Sequence, residues 1–280
     1  MITFDADTSK AQNAVAVARR REGLTIPAEV DQVAGMWQVA VDASHMKTPE
    51  RPTVGDIPAT AEELRRLIAD RAHTYRIARA HQQVGTDFLE PIARKYNLLV
   101  RDQVDGWIRA LQPDFLALVK VLAKQEKKLP ELLDRQHIDL RNPAISAPWE
   151  TASNAAVRLD QLVADRQTLA RAASSDLGRD AELWAVAKLD EPTADEVFAH
   201  KLRDHVGPAL REWRDLRQQP IARWLYLTRS PHFTLQLATP GEVTQRQQVM
   251  ERWQQAIAVV MGSGLSHQQA QHAVAQALRG

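Results

Sequence analysis

The chain has 280 residues, no cysteine and a formal net charge of +1 at pH 7. This length suffices for a hydrophobic core without disulfides, and the lack of cysteine excludes disulfide frameworks, thiolate catalysis and cysteine-ligated metal sites. The balanced charge disfavours a whole-molecule attraction to nucleic acid or acidic lipid. No apolar run approaches the roughly 20 residues of a membrane span, and the first residues do not resemble a signal peptide. We therefore expect a cytoplasmic protein without a membrane partner.

Residues 1–44 are predicted to form an N-terminal helical unit, and residues 45–60 a proline-rich linker. The linker region carries three prolines and a glycine and is too long for an ordinary connection between helices. Within the N-terminal unit, the basic cluster "ARRREG" ends at Gly23. This order is typical of a helix C-terminus, where cations complement the helix dipole.

Residues 61–238 are predicted to form a central helical bundle. Its first apolar stripe has the 3.6-residue period of a helix, which Gly85 or Pro91 is expected to bend or interrupt. Farther along, Phe115–Ala123 is apolar nearly all round, as expected of a buried helix.

Four capping boxes mark predicted helix starts, each with a side-chain acceptor at the cap and a carboxylate or amide three residues later. These pairs are Thr60 with Glu63, Thr193 with Glu196, Thr239 with Glu242, and Ser266 with Gln269.

A second loop and a helical seam are predicted in the middle of the chain. Asp139–Thr151 has the composition of a loop. Between Ala152 and Ala173, small and apolar residues recur at spacings of three and four, which predicts a coiled-coil or antiparallel seam of about three heptads. Arg166 interrupts this seam, so its side chain must reach solvent or meet an acid on the partner helix.

Evidence for strands is confined to two short segments. Phe233, Leu235 and Leu237 alternate with polar residues, and Ile2 and Phe4 do the same near the N-terminus. One option within an otherwise all-α fold is a small ribbon that pairs these two segments.

Residues 239–280 are predicted to form a C-terminal helical hairpin that turns at the sequence "GSG". Between Arg252 and Arg279 no residue carries a fixed charge, whereas an exposed hairpin normally displays charged side chains. One hypothesis is that the hairpin forms a protein interface, because interface cores are depleted in charge. The alternative is that it packs onto its own domain. The candidate interface residues are Trp253, Ile257, Val260, Met261 and Leu265.

The segment Leu210–Phe233 is rich in arginine and aromatic residues. Trp213 and Trp224 lie on apolar stripes and are predicted to be core residues, so they are not free to stack on bases. A solvated helix face is the favoured interpretation. A nucleic-acid surface would use Arg211, Arg214, Arg217, Arg223 and Arg229.

Glu196, His200 and Asp204 have the spacing of three ligands on one helix face. However, Glu196 is also the capping partner of Thr193, which makes its carboxylate less available. The sequence contains no HExxH, no P-loop, no dinucleotide-binding fingerprint and no GxSxG motif. We therefore expect no metal or other cofactor and assign no catalytic residue, and the chain is more typical of a non-enzyme.

These patterns predict an all-α multi-helix bundle with long antiparallel helices and a C-terminal hairpin. The favoured function is a non-catalytic interaction or assembly module that docks through helix faces, either to itself as an oligomer or to a protein partner. One alternative is a nucleic-acid-associated protein that uses the arginines around residues 203–229. A second alternative is a metal-dependent enzyme of unrecognised class.

Overall fold

The computed structural model describes residues 7–130, 141–173, 181–200, 204, 206–262 and 264–279. Residue contacts divide the chain into two compact units, Met1–Gln103 and Val104–Gly280. The organisation into segments 1–44, 45–60, 61–238 and 239–280 stays a prediction.

The first unit begins with helix α1 (Ser9–Arg20) and helix α2 (Ala28–Ser44). The Asp7 side chain accepts the backbone N–H of Ser9 at 2.8 Å, which lowers the pKa of that carboxyl. After α1, Gly23 has a φ of 84°, a left-handed conformation that glycine adopts without strain. The predicted helix end before Gly23 is confirmed.

Helix α3 (Ala61–Ala110) continues through both Gly85 and Pro91, so an interruption there is wrong and a bend stays a prediction. Gly85 instead permits a close approach to α2. A Cβ atom at Gly85 would lie 2.6 Å from the backbone nitrogen of Ser44 and 2.9 Å from the carbonyl oxygen of Ala40. The glycine is thus required by helix packing, a reason that local sequence does not reveal.

The connection between α2 and α3 contains one short 3-10 turn, Val54–Asp56. Its first residues are attached to α3 by side chains of that helix. Gln82 Nε2 donates to the carbonyl of Met46 at 2.6 Å, and Arg71 donates to the carbonyl of Glu50.

The second unit is built mainly from helices, together with one two-stranded ribbon. Helices α4, α5 and α9 pack on one another, and Phe115 meets Trp224 edge-to-face with ring centroids 5.8 Å apart. Both rings are fully buried. The helices are α4 (Gln112–Glu126), α5 (Pro143–Ala172), α6 (Ala181–Trp184), α7 (Ala194–Phe198), α8 (Gly207–Asp215), α9 (Pro220–Arg229), α10 (Pro240–Gly262) and α11 (His267–Arg279). The fold is all-α, as predicted from the sequence.

The ribbon pairs strand β1 (Ala187–Leu189) with strand β2 (Phe233–Leu235) in antiparallel register, with Lys188 opposite Thr234. The predicted strand at Phe233 is therefore confirmed, but its observed partner is β1. The proposed partner segment, with Ile2 and Phe4, lies outside the described residues.

Helix α5 overturns most of the loop predicted between Asp139 and Thr151. It begins at Pro143, and the side chain of Asn142 caps it by accepting the N–H of Ala144 at 3.0 Å. Proline is compatible with the first helical turn because its missing N–H would have no partner there. Asp139 and Leu140 lie outside the described residues.

All four predicted capping boxes are present. In each pair the backbone N–H of the cap residue donates to the later side chain, and the later backbone N–H donates to the cap hydroxyl. The predicted C-terminal hairpin is also present, as α10 packed on α11. Within the described ranges, no helix is long and apolar enough to cross a membrane.

Candidate functional site

The Glu196, His200 and Asp204 triplet does not lie along one continuous helix. Helix α7 ends at Phe198, and His200 has a φ of 55°, so the chain leaves the helical path before the second predicted ligand. The backbone N–H of Thr193 donates to Glu196 Oε2 at 3.1 Å. Over the described part of the chain, no group of three His, Asp or Glu side chains is placed to hold a metal ion.

The arginines of α8 and α9 do not share one environment. Arg211 and Arg214 are exposed, and Arg217 is exposed but pairs with Glu182 at 3.3 Å. Arg229 Nε donates to Glu126 at 3.1 Å, and its Nη2 donates to the carbonyl of Pro130.

Arg223 is buried rather than displayed on a surface. Its guanidinium carbon lies 3.5 Å from the centroid of the Trp213 ring, and its Nε donates to the carbonyl of Trp213 at 3.1 Å. Burial lowers the pKa of Arg223, while Asp160 and Glu182 oppose that shift. Trp213 and Trp224 are both buried, which confirms that they are core residues. Arg223 therefore contributes to the core of this unit.

Arg166 and Arg246 form a second group of buried cations beside the ribbon. Arg246 Nη1 donates to the carbonyls of Trp184 and Gln236, at 2.9 and 3.0 Å, and so bridges the two chain segments of the ribbon. Arg166 Nε donates to the carbonyl of Ala238 at 2.8 Å, but its Nη2 has no hydrogen-bond partner among the described residues. The seam arginine is therefore buried, forms no ion pair with any residue that the structure describes, and binds a backbone carbonyl.

These two arginines retain their positive charge at neutral pH despite burial. Loss of solvation lowers the pKa of each to about 10, and the charge of Arg246 adds to the shift of Arg166. Glu242 opposes both shifts. Their contacts with backbone carbonyls indicate a structural role.

The C-terminal hairpin is anchored on its own unit. Helix α10 packs against α6, α7, β1 and α11, and Trp253 is buried. Ile257 and Val260 are half-buried, whereas Met261 and Leu265 at the turn are exposed. Trp253 is thus a core residue of its own unit, and an interface with another chain stays a prediction for Ile257, Val260, Met261 and Leu265.

The sequence reading missed an apolar stripe on α3, formed by four exposed side chains. Ile77, Val84, Phe88 and Leu98 are 39, 53, 56 and 49% exposed. Their spacings of 7, 4 and 10 residues place them on one helix face at about 100° per residue. The signal was thus present in the sequence, but periodicity alone does not tell an exposed apolar face from a buried one.

The buried face of α3 in the same unit lies elsewhere on the helix. It includes Ala78, Gly85, Leu89 and Ala93, which are turned away from the four exposed side chains by the same periodicity. Helix α3 therefore carries two apolar faces in this unit, and only one of them is buried.

No protein-family model, no curated protein and no solved structure matches this chain.

Proposed function

We propose that the protein is a helical interaction module that self-associates through the α3 stripe, the face formed by Ile77, Val84, Phe88 and Leu98. The observation that carries this proposal is the exposure of four large apolar side chains on one face of a helix that is already packed through another face. Single exposed apolar residues are ordinary on protein surfaces, whereas several large ones on one helix face favour an interaction site.

The spacing of the stripe favours a second copy of the chain as the partner. Two-fold symmetric interfaces bring the same patch of both subunits together. In an antiparallel pair that places Ile77 opposite Leu98 of the second copy, Phe88 lies at the centre of the contact. In this antiparallel pair, each half of the stripe therefore meets the other half of the same stripe. A stripe with all its large side chains at one end would not pair with itself in this way.

The same register also brings unlike polar groups together at both ends of the pair. His73 and Asp102 are exposed residues of α3 on the stripe side, and each lies opposite the other in the second copy. Such exposed pairs contribute little to affinity, since their attraction is screened by solvent, but they select the register.

The oligomeric state tests the proposal directly. We expect the native protein to have twice the 31.4 kDa mass of one chain, as measured by light scattering after size-exclusion chromatography. Phe88→Glu should yield the monomer because it places a charge at the centre of the apolar contact. Ile68→Glu is the matched control: Ile68 is 59% exposed on the same helix but lies on another face.

Disulfide trapping tests the register of the two helices. Because the sequence contains no cysteine, only the introduced cysteines can form disulfides. Residues 77 and 98 are about 31 Å apart along one helix, so the double variant Ile77→Cys/Leu98→Cys cannot close a disulfide within one chain. We expect it to form covalent dimers under mild oxidation. The pair Ile68→Cys/Leu98→Cys should not.

Two outcomes contradict self-association. A native protein that is monomeric at all concentrations up to about 100 μM overturns it, because a specific homodimer is populated in that range. A dimer whose mass is unchanged by Phe88→Glu places the contact elsewhere, for example at Met261 and Leu265.

A further inference from the structure

The first unit contains a cavity of about 640 Å³ between α1, α2 and α3. This volume lies within the range of small-molecule sites. Its wall includes the buried apolar side chains Val15, Val33 and Ala93, together with Trp37. Such a wall accommodates the apolar body of a small ligand.

Tyr96 supplies a polar group to this apolar wall. The residue is only 8% exposed, and its side chain forms part of the cavity wall. Burial raises the pKa of its hydroxyl, which therefore remains a protonated donor at neutral pH. A protonated hydroxyl in a cavity wall can donate a hydrogen bond to a ligand that carries an acceptor.

Cations lie at the edge of the same cavity. Arg19 and Arg20, in the last turn of α1, both line it. Arg19 Nη2 lies 2.5 Å from Asp31 Oδ1, and both side chains are more than half exposed. A guanidinium has five N–H donors, so this one contact leaves others for an anion.

We propose that this cavity binds a small amphipathic organic anion, with its apolar body against Val33 and its carboxylate or sulfonate beside Arg19 and the Tyr96 hydroxyl. The site is separate from the α3 stripe, and its ligand does not depend on whether the chain self-associates. The apolar wall of the cavity contacts the apolar part of the ligand. The arginines at its edge favour an anion over a neutral molecule of equal size.

Isothermal titration of the full chain with two matched probes tests both the apolar contact and the preference for an anion. 2-Naphthoate carries an aromatic body and a carboxylate, and 2-naphthalenemethanol is its uncharged counterpart. We expect saturable binding of 2-naphthoate, and binding of the alcohol weaker by roughly tenfold, the effect of one charge-assisted hydrogen bond. No saturable binding of the carboxylate up to millimolar concentration overturns the proposal, as does equal binding of both probes.

A filled cavity tests the location. Val33→Trp places a large ring in the cavity and should weaken 2-naphthoate binding by roughly tenfold or more. Val39→Trp is the matched control, because Val39 is 70% exposed on the same helix and does not line the cavity. Should Val33→Trp fail to fold, Ala16→Leu and Ala34→Leu replace it, since both alanines line the cavity at exposed helix positions. Equal binding by the filled and control variants overturns the assignment.

Asp31→Asn is expected to tighten binding, in contrast to the substitutions that fill the cavity. Removing this carboxylate frees Arg19 and takes a negative charge from the edge of the cavity. We expect 2-naphthoate to bind roughly two- to fivefold more tightly, and the alcohol to be unaffected. A purely structural role of the Arg19–Asp31 pair would weaken both probes alike, and that result contradicts the proposed headgroup position.

Discussion

The indole N–H of Trp224 donates to Oδ1 of Asp160 at 2.8 Å, which joins α9 to α5 inside the second unit. Burial raises the pKa of Asp160 above its ordinary value of 3.8, while the hydrogen bond from Trp224 and the charge of Arg223 oppose the shift. The Asp160 carboxyl thus accepts a hydrogen bond in a buried environment that disfavours its charged form.

The raised pKa of Asp160 makes stability depend on pH in a definite direction. Between pH 3.8 and the raised pKa, the folded state holds a proton that the unfolded state has released. The contribution of Asp160 to the free energy of unfolding therefore falls as pH rises through this window and is constant above it. Asp160→Asn keeps an oxygen acceptor for Trp224 and removes this dependence.

Urea unfolding of the Asp160→Asn variant across that pH window measures the effect. We expect its free energy of unfolding, relative to the native protein, to increase as pH rises. Asp160→Ala serves as the control: it removes the same titration but leaves the Trp224 N–H without its acceptor, at a cost of about 1–3 kcal/mol at every pH. A pH-independent difference for Asp160→Asn contradicts the assigned shift.

Arg223 and Arg217 both bind Glu182, but we expect their substitution to change the free energy of unfolding by very different amounts. Arg223→Met loses the contact with the Trp213 ring and leaves the Trp213 carbonyl unpaired, so it should lower the free energy of unfolding by about 2–4 kcal/mol. Arg217→Gln should change it by less than about 0.5 kcal/mol, because that side chain is exposed. Equal effects in chemical denaturation contradict the buried role of Arg223.

The two arginines beside the ribbon allow a similar comparison. Arg246→Met leaves the carbonyls of Trp184 and Gln236 unpaired, and we expect it to destabilise the second unit by about 2–4 kcal/mol. Arg166→Met leaves one carbonyl unpaired but also removes a buried charge whose Nη2 has no described partner, so its effect should be smaller by at least about 1 kcal/mol. Guanidinium unfolding of both variants checks the order, and the reverse order contradicts it.

Gly85→Ala tests the contact between α2 and α3. The added methyl group would meet backbone atoms of α2 that a side-chain rotation cannot move, so we expect a loss of about 1–3 kcal/mol. Gly106→Ala is the control within the same helix. A Cβ atom there meets nothing within 4 Å, and the change should stabilise the helix by about 0.5–1 kcal/mol. Thermal unfolding followed by circular dichroism distinguishes the two variants.

Local sequence signals predicted much of the helical architecture. The four capping boxes succeeded because both hydrogen bonds of each box are formed within four residues and need no distant partner. The composition-based prediction of a loop at Asp139–Thr151 was wrong from Pro143 onward. Proline contributes to that loop-like composition, yet Pro143 carries no penalty at its position in the first turn of α5.

What the sequence did not reveal depends on partners distant in the chain. Nothing near Arg166 indicates that its partner is the carbonyl of Ala238, and nothing near Gly85 indicates the backbone of Ser44. The α3 stripe was not predicted because the helical spacing of apolar residues is the same for a covered face and for an exposed one. Tyr96 was likewise unremarkable until its burial placed it in a cavity wall.

The ribbon of the second unit constrains the order in which that unit folds. Pairing Ala187 with Leu235 brings together positions 48 residues apart, and the backbone N–H groups of Gln236 and Ala238 extend the pairing to Val186 and Ala185. The entropy of closing so long a loop opposes early pairing, so we expect the ribbon to form after the helices between its strands. Protection of the Gln236 and Ala238 amides from hydrogen exchange during refolding therefore marks a late step, after protection of α4 and α5.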